Sequence, residues 1–102
     1  MIDEEIFELT KRMVSIPSVN GTEGEKDIGL FVEQYIRSFP YFQAHPDQVA
    51  IVHLKDDPLD RRSILALLRG EKDDNPGTVI LHGHTDTVGI EDFGAYEPYA
   101  TD

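Results

Sequence analysis

The sequence TVILHGHTDTV, residues 78–88, decides how this chain is interpreted. It begins with the apolar run of residues 79–81, Val-Ile-Leu, which is typical of a short buried strand. His82, His84 and Asp86 follow at alternate positions. Because alternate residues of an extended chain share one face, the two imidazoles and the carboxylate are expected on the same side of the segment.

These three residue types in this order suggest metal chemistry. Imidazole nitrogen is a good ligand for zinc and related transition metals, and a nearby carboxylate can coordinate the ion or hold the imidazole through its second ring nitrogen. Polar residues at the exposed end of a strand would give the same pattern. The residues alone therefore leave a metal site and a polar strand end both open.

A resemblance extends the interpretation. The segment GHTDTV, with SIPSVNGTEGE upstream, resembles the M20 family of metallopeptidases and aminoacyl hydrolases. Residues 16–19 and 23–25 look like the family's N-terminal signature, and residues 82–94, HGHTDTVGIEDFG, most resemble the branch associated with bacterial arginine utilisation. In the family, the histidine of the G-H-x-D segment binds a metal ion and the aspartate two residues later orients it. The resemblance therefore implies that His84 is a metal ligand and that Asp86 is a catalytic residue acting through it.

The resemblance also implies an activity. It predicts a metal-dependent hydrolase that cleaves amide bonds of small peptides or N-acyl amino acids by metal-activated water. Two zinc ions are the implied cofactors, with cobalt or manganese as alternatives. The other ligands and a catalytic glutamate are expected beyond Asp102, so we expect residues 1–102 to be the N-terminal part of a catalytic domain, without a second domain and inactive alone. A homodimer formed through a domain outside this chain is compatible with the family.

Two other interpretations stay open. In amidohydrolases an H-x-H segment chelates one metal ion, so His82 and His84 would bind it together. There the motif ends the first strand of a barrel, whereas here it follows two predicted helices and two predicted strands. The other alternative is a non-catalytic acidic domain whose histidines are structural.

Periodicity in the rest of the chain predicts an α/β fold. Apolar residues recur every three or four positions over residues 3–15, which predicts an amphipathic helix with a buried face. A capping-box pattern, Thr22 with Glu25, starts a second helix that ends before Pro40. Residues 49–54, 64–68 and 79–81 are predicted strands.

The arrangement of these strands follows from their linkers and composition. The connection between the first two is too short for a crossover helix, which favours antiparallel pairing. The second and third are apolar at consecutive positions, which is typical of strands covered on both faces. We therefore expect a three-layer α/β/α domain with a mixed sheet, of the kind found in zinc-dependent exopeptidases.

Composition excludes several classes of partner. Twenty acidic and nine basic residues give a net charge of -11, which repels nucleic acid and anionic membranes. Because the chain has no cysteine, a metal ion would be held by histidine and carboxylate alone. The sequence has neither a signal-peptide pattern nor an apolar run near the roughly 20 residues of a membrane span, so a cytoplasmic protein is expected.

Overall fold

The computed structural model describes residues 2–72, 74 and 77–99, and its first half is helical. Helix α1 spans Ile2–Val14 and helix α2 spans Gly24–Arg37. The short helix α3, Pro40–Ala44, and a 3-10 turn, Pro46–Gln48, lead to the first strand. Both helices predicted from apolar periodicity are confirmed.

The start of α2 differs from the predicted capping box. The helix begins at Gly24, and the residue before it, Glu23, already has helical backbone angles (φ -63°, ψ -18°). Thr22 therefore lies one position too early to cap the helix, and its hydroxyl instead donates to the carbonyl of Val19 at 2.7 Å. The Glu25 carboxylate still contacts the chain before the helix, because it accepts the backbone N–H of Gly21 at 2.7 Å.

Two strands form an antiparallel hairpin that packs on α2. Strand β1, Val49–His53, pairs antiparallel with β2, Arg62–Ala66, as predicted, although β2 begins and ends two residues before the predicted range of residues 64–68. The hairpin face that carries the buried Val49 faces α2, where a Cβ on Gly29 would lie 3.0 Å from Cγ of Arg62. The absence of a side chain at Gly29 thus lets the helix approach β2 closely, and Nη1 of Arg62 pairs with Glu33 of α2 at 3.1 Å.

A clamp around Asp57 closes the hairpin loop. The Asp57 carboxylate, 3% exposed, accepts Nε and Nη2 of Arg61 at 2.8 and 3.1 Å. It also accepts the backbone N–H groups of Arg61 and Leu59, at 2.9 and 3.2 Å. The side-chain bond to Arg61 lowers the pKa of Asp57 to about 2 and raises the pKa of the Arg61 guanidinium.

The predicted third strand is wrong in this structure. Residues 77–86 have no regular secondary structure, and Val79, Ile80 and Leu81 are 85, 85 and 92% exposed. A strand needs a neighbouring strand to accept its backbone hydrogen bonds, and no described strand lies alongside this segment. The described sheet is accordingly a two-stranded antiparallel one, not a mixed one.

Burial is also lower than the sequence pattern predicted. Leu65 on β2 is 54% exposed, so this strand is not covered on both faces. On α1, Ile6 and Phe7 are 58 and 63% exposed, contrary to the expected buried face. The mixture of helices with a small sheet agrees with the α/β class, whereas the three-layer arrangement remains a prediction.

An apolar groove separates α1 from α2. It has a volume of about 260 Å³, and the guanidinium of Arg12 on α1 lies 4.8 Å from the centre of the Phe31 ring on α2. Its lining residues are Leu9, Met13, Phe31, Val32, Tyr35, Ile36 and Phe39.

The chain has a solvent-accessible surface of 8483 Å², against about 5800 Å² for a typical folded monomer of 11.5 kDa. None of the helices in the described part combines the length and hydrophobicity that crossing a membrane requires.

Replacing Asp57 with asparagine should change the response of stability to acid. The pKa of Asp57 falls from 3.8 to about 2 on folding, so the folded state holds this proton less tightly than the unfolded state. The resulting stabilisation is complete above about pH 4 and is lost as the pH falls towards about 2. Urea unfolding between these limits should therefore show a steeper loss for the wild type than for Asp57→Asn. The exposed Asp47→Asn is the matched control, and parallel curves for Asp57→Asn and the wild type would contradict the clamp.

Candidate functional site

The two segments that resemble the family lie side by side in the structure. Val19 and Thr87 form an isolated parallel bridge. The N–H of Thr87 donates to the carbonyl of Ser18 at 2.9 Å, and the N–H of Asn20 donates to the carbonyl of Thr87 at 2.9 Å. The N-terminal signature therefore holds the segment that carries His84 and Asp86.

A buried serine adds a third bond to this pairing. The hydroxyl of Ser18, a residue only 3% exposed, donates to the backbone carbonyl of Thr85 at 2.7 Å. Thr85 and Thr87 flank Asp86 in the sequence. The backbone is thus attached to residues 18–20 immediately before and immediately after Asp86.

The side chains of His84 and Asp86 contact each other. Nδ1 of His84 lies 2.9 Å from Oδ1 of Asp86 and 3.1 Å from the Asp86 backbone carbonyl. Both partners are acceptors, so Nδ1 is the donor in these contacts, and in the neutral imidazole Nε2 then carries the free lone pair. The His84 side chain is 82% exposed, and no described residue bonds to Nε2. This tautomer leaves Nε2 available to a metal ion.

The described residues fit a metal site only in part. They contain no group of three or more His, Asp or Glu side chains placed to hold a metal ion. Catalytic zinc sites generally have three protein ligands and one open position. His84 can supply one of these ligands, and Asp86 can fix its orientation. Their roles as ligand and catalytic residue remain predictions.

The structure does not support the expectation that His82 and His84 share one face of a strand. That argument required a regular strand, in which alternate side chains share a face, but residues 77–86 are irregular and His82 is exposed. The chelate of His82 with His84 therefore has no support from the backbone.

The turn that holds the site is itself tied to the rest of the fold. A Cβ on Gly24 would lie 1.7 Å from the carbonyl oxygen of Pro17, so the start of α2 lies directly against the chain that leads into Ser18. Glu25 accepts the N–H of Gly21 and also lies 3.4 Å from Nη1 of Arg61 in the hairpin loop.

Sequence reasoning missed part of this support. The resemblance placed residues 16–19 in the family signature but gave Ser18 no role. The capping-box pattern anticipated that Glu25 accepts a backbone N–H before the helix, but not its contact with Arg61. Periodicity could not find the bond between Ser18 and Thr85, because 67 positions separate the two residues.

Comparison with known proteins extends the likeness beyond the motif. The chain is 43% identical over 99 residues to Protein RocB of Bacillus subtilis (strain 168), in an alignment that covers 97% of this chain and 17% of that protein. It is 35% identical over 97 residues to the uncharacterized protein YqjN of the same organism, with 95% of this chain and 17% of that protein covered. The chain thus spans about a sixth of the length of these curated relatives. No family model and no solved structure matches it.

Gly24→Ala should destabilise the protein although alanine is the better helix former. The intrinsic helical gain is about 1 kcal/mol, whereas the added Cβ would displace the Pro17 backbone, and overpacking typically costs about 1–3 kcal/mol. Urea unfolding should therefore show a net loss of stability. Gly70→Ala, where an added Cβ meets nothing within 4 Å, is the matched control. A Gly24→Ala variant at least as stable as the wild type would contradict this close approach.

Proposed function

We propose that this chain provides one part of the active site of a metal-dependent hydrolase that cleaves amide bonds in small peptides or N-acyl amino acids. The observation that carries the proposal is the contact at 2.9 Å between Nδ1 of His84 and Oδ1 of Asp86. A carboxylate that accepts the second ring N–H of a histidine is the usual support of a metal-binding imidazole. The motif resemblance adds the family and the reaction class.

The chain's own residues have distinct tasks in this proposal. Asp86 holds the proton on Nδ1 of His84, which fixes the tautomer and makes Nε2 a better donor of its lone pair. His84 binds one metal ion through Nε2. When bound, a divalent ion would lower the pKa of water towards about 7 and polarise the substrate carbonyl. Two zinc ions, or cobalt or manganese in their place, suit histidine and carboxylate ligands.

We further propose that the missing ligands and a catalytic glutamate come from polypeptide outside residues 1–102. The solvent-accessible surface of 8483 Å² supports this, because the chain leaves more of itself uncovered than a typical monomer of its mass. The proposed setting is a cytoplasmic enzyme of arginine utilisation. The link to arginine rests on the motif resemblance, and the 43% identity to Protein RocB supports a relationship over 97% of this chain. A homodimer through another domain is compatible with the proposal.

The exposure of His84 favours this proposal over a purely structural histidine. The ring nitrogens of a histidine with a buried structural role are normally hydrogen-bonded. The His84 side chain is 82% exposed, and its only bonds to described residues are made by Nδ1. Nε2 of His84 is therefore accessible to a metal ion, as the proposal requires.

Substitutions in the complete gene product test the proposal through its metal content. Asp86→Ala should weaken metal binding about 10- to 100-fold, the usual effect of losing the carboxylate behind a ligand. His84→Ala should weaken it more, because the ligand itself is lost. Metal content after dialysis and titration with zinc measure both effects.

Two further variants control this experiment. His53→Ala breaks another exposed histidine–aspartate pair, with Asp60 at 3.3 Å, and should leave metal content unchanged. His82→Ala should also have little effect. If His82→Ala reduced metal content as much as His84→Ala, the two-histidine chelate of the amidohydrolases would be the better account.

Residues 1–102 alone should hydrolyse nothing, because one histidine and its aspartate cannot form a closed metal site. The chain would be incubated with zinc, cobalt or manganese and a panel of dipeptides and N-acyl amino acids. Turnover that persists after repurification and disappears in His84→Ala would show that the chain contains a full site, contrary to the proposal.

A further inference from the structure

We propose that Ser18 is a positioning residue for His84, acting through the backbone on either side of Asp86. The inference rests on the proposed function, since metal binding by His84 is what the positioning serves. Its basis is the juxtaposition of the buried Ser18 hydroxyl with the backbone of residues 85–87.

Ser18 contacts both neighbours of Asp86. Its hydroxyl donates to the carbonyl of Thr85 at 2.7 Å, and its own carbonyl accepts the N–H of Thr87 at 2.9 Å. These two bonds fix the peptide groups that precede and follow Asp86. They therefore restrict the direction in which the Asp86 side chain leaves the backbone.

This restriction matters because no helix or strand fixes the conformation of residues 77–86. Residues 77–86 belong to no helix or strand, so no backbone ladder sets their conformation. The 2.9 Å contact between His84 and Asp86 nevertheless requires a defined backbone between them. Among the described residues, only Ser18 provides a side-chain hydrogen bond to the backbone of residues 85–87 from outside the segment.

The position of Ser18 is itself well determined. Ser18 is 3% exposed, and the carbonyl of its neighbour Pro17 lies against Gly24 at the start of α2. The turn that follows is held by Glu25, which accepts the N–H of Gly21 at 2.7 Å. The Ser18 hydroxyl is therefore held in place by its surroundings, and it hydrogen-bonds to a segment that has no regular structure of its own.

Metal affinity separates positioning from a general contribution to stability. Losing the hydroxyl leaves the Thr85 carbonyl without its Ser18 partner and should loosen residues 85–87 before it loosens the helices. A positioning role predicts weaker metal binding while the fold is intact. A merely structural role predicts lower global stability with unchanged metal affinity in the folded protein.

The experiment compares three variants in the complete gene product. Ser18→Ala removes the hydroxyl and Ser18→Thr retains one. Ser15→Ala is the matched control, because Ser15 also donates to a backbone carbonyl, that of Arg12, at 2.7 Å but at an exposed position after α1. Zinc affinity is measured by competition with a chromophoric chelator, ligand geometry by the visible spectrum of the cobalt-loaded protein, and local order by amide exchange at Thr87 relative to α2.

Ser18→Ala should bind zinc about tenfold more weakly, near the lower end of the effect of removing a residue that supports a ligand. Its cobalt spectrum should change, and the Thr87 amide should lose protection while α2 retains it. Ser18→Thr should restore most of the zinc affinity, and Ser15→Ala should match the wild type in all three measurements.

Wild-type zinc affinity and an unchanged cobalt spectrum in Ser18→Ala would overturn the inference. Should Ser18→Ala fail to fold, the wild type and Ser18→Thr provide the test. Fast amide exchange at Thr87 in the wild type would overturn the inference. Zinc binding by folded Ser18→Thr that is much weaker than that of the wild type would also overturn it. Failure of the proposed function has a different signature. In that case His84→Ala would keep its metal, while Thr87 would still lose protection in Ser18→Ala.

Discussion

Close approach at two glycines of α2 is the constraint on which the candidate site depends. Gly24 lets the start of the helix lie against the Pro17 backbone, and Gly29 lets its middle lie against the Arg62 side chain. The first contact places residues 17–20, which pair with the segment that carries His84. The second contact brings the hairpin against α2, and Arg61 in the hairpin loop contacts Glu25 in the first turn of the helix. A side chain at Gly24 would displace the Pro17 backbone, whereas one at Gly29 would require the Arg62 side chain to shift by a few tenths of an ångström.

Charged contacts connect these elements more than an apolar core does. Among the described residues, the buried apolar side chains are Ile28 and Val49. Arg61 instead bridges Asp57 and Glu25, and Arg62 joins β2 to Glu33 on α2. With 20 acidic and nine basic residues, acidic partners are abundant and a net charge of -11 remains. That surplus makes the surface of the chain as a whole more favourable to cations than to polyanions.

Local sequence determined what could be predicted. The helices and the antiparallel hairpin followed from periodicity and linker length, which act over a few residues. The contact between His84 and Asp86 was expected from the family resemblance, and the two positions that separate these residues allow it. The burial of individual side chains could not be predicted in this way. Val79 and Leu65 belong to apolar runs, but an apolar run does not specify which element covers it. In the structure none of the described elements covers these two side chains. The bond between Ser18 and Thr85 joins residues 67 positions apart, so only the folded chain reveals it.

The exposure of His84 and of residues 79–81 has a common explanation within the proposed function. An imidazole that is 82% exposed binds a divalent ion weakly by itself, since stable sites combine several ligands in a cavity that limits water. Under the proposed function, polypeptide that brings further ligands to Nε2 would lie near the segment that carries Val79, Ile80 and Leu81, because these residues are only a few positions before His84. Burying such side chains stabilises by roughly 1.5–3 kcal/mol each, which would offset the entropy lost in ordering an irregular segment. Under the proposed function, completion of the metal site and burial of this apolar run would therefore be coupled, and each would make the other more favourable.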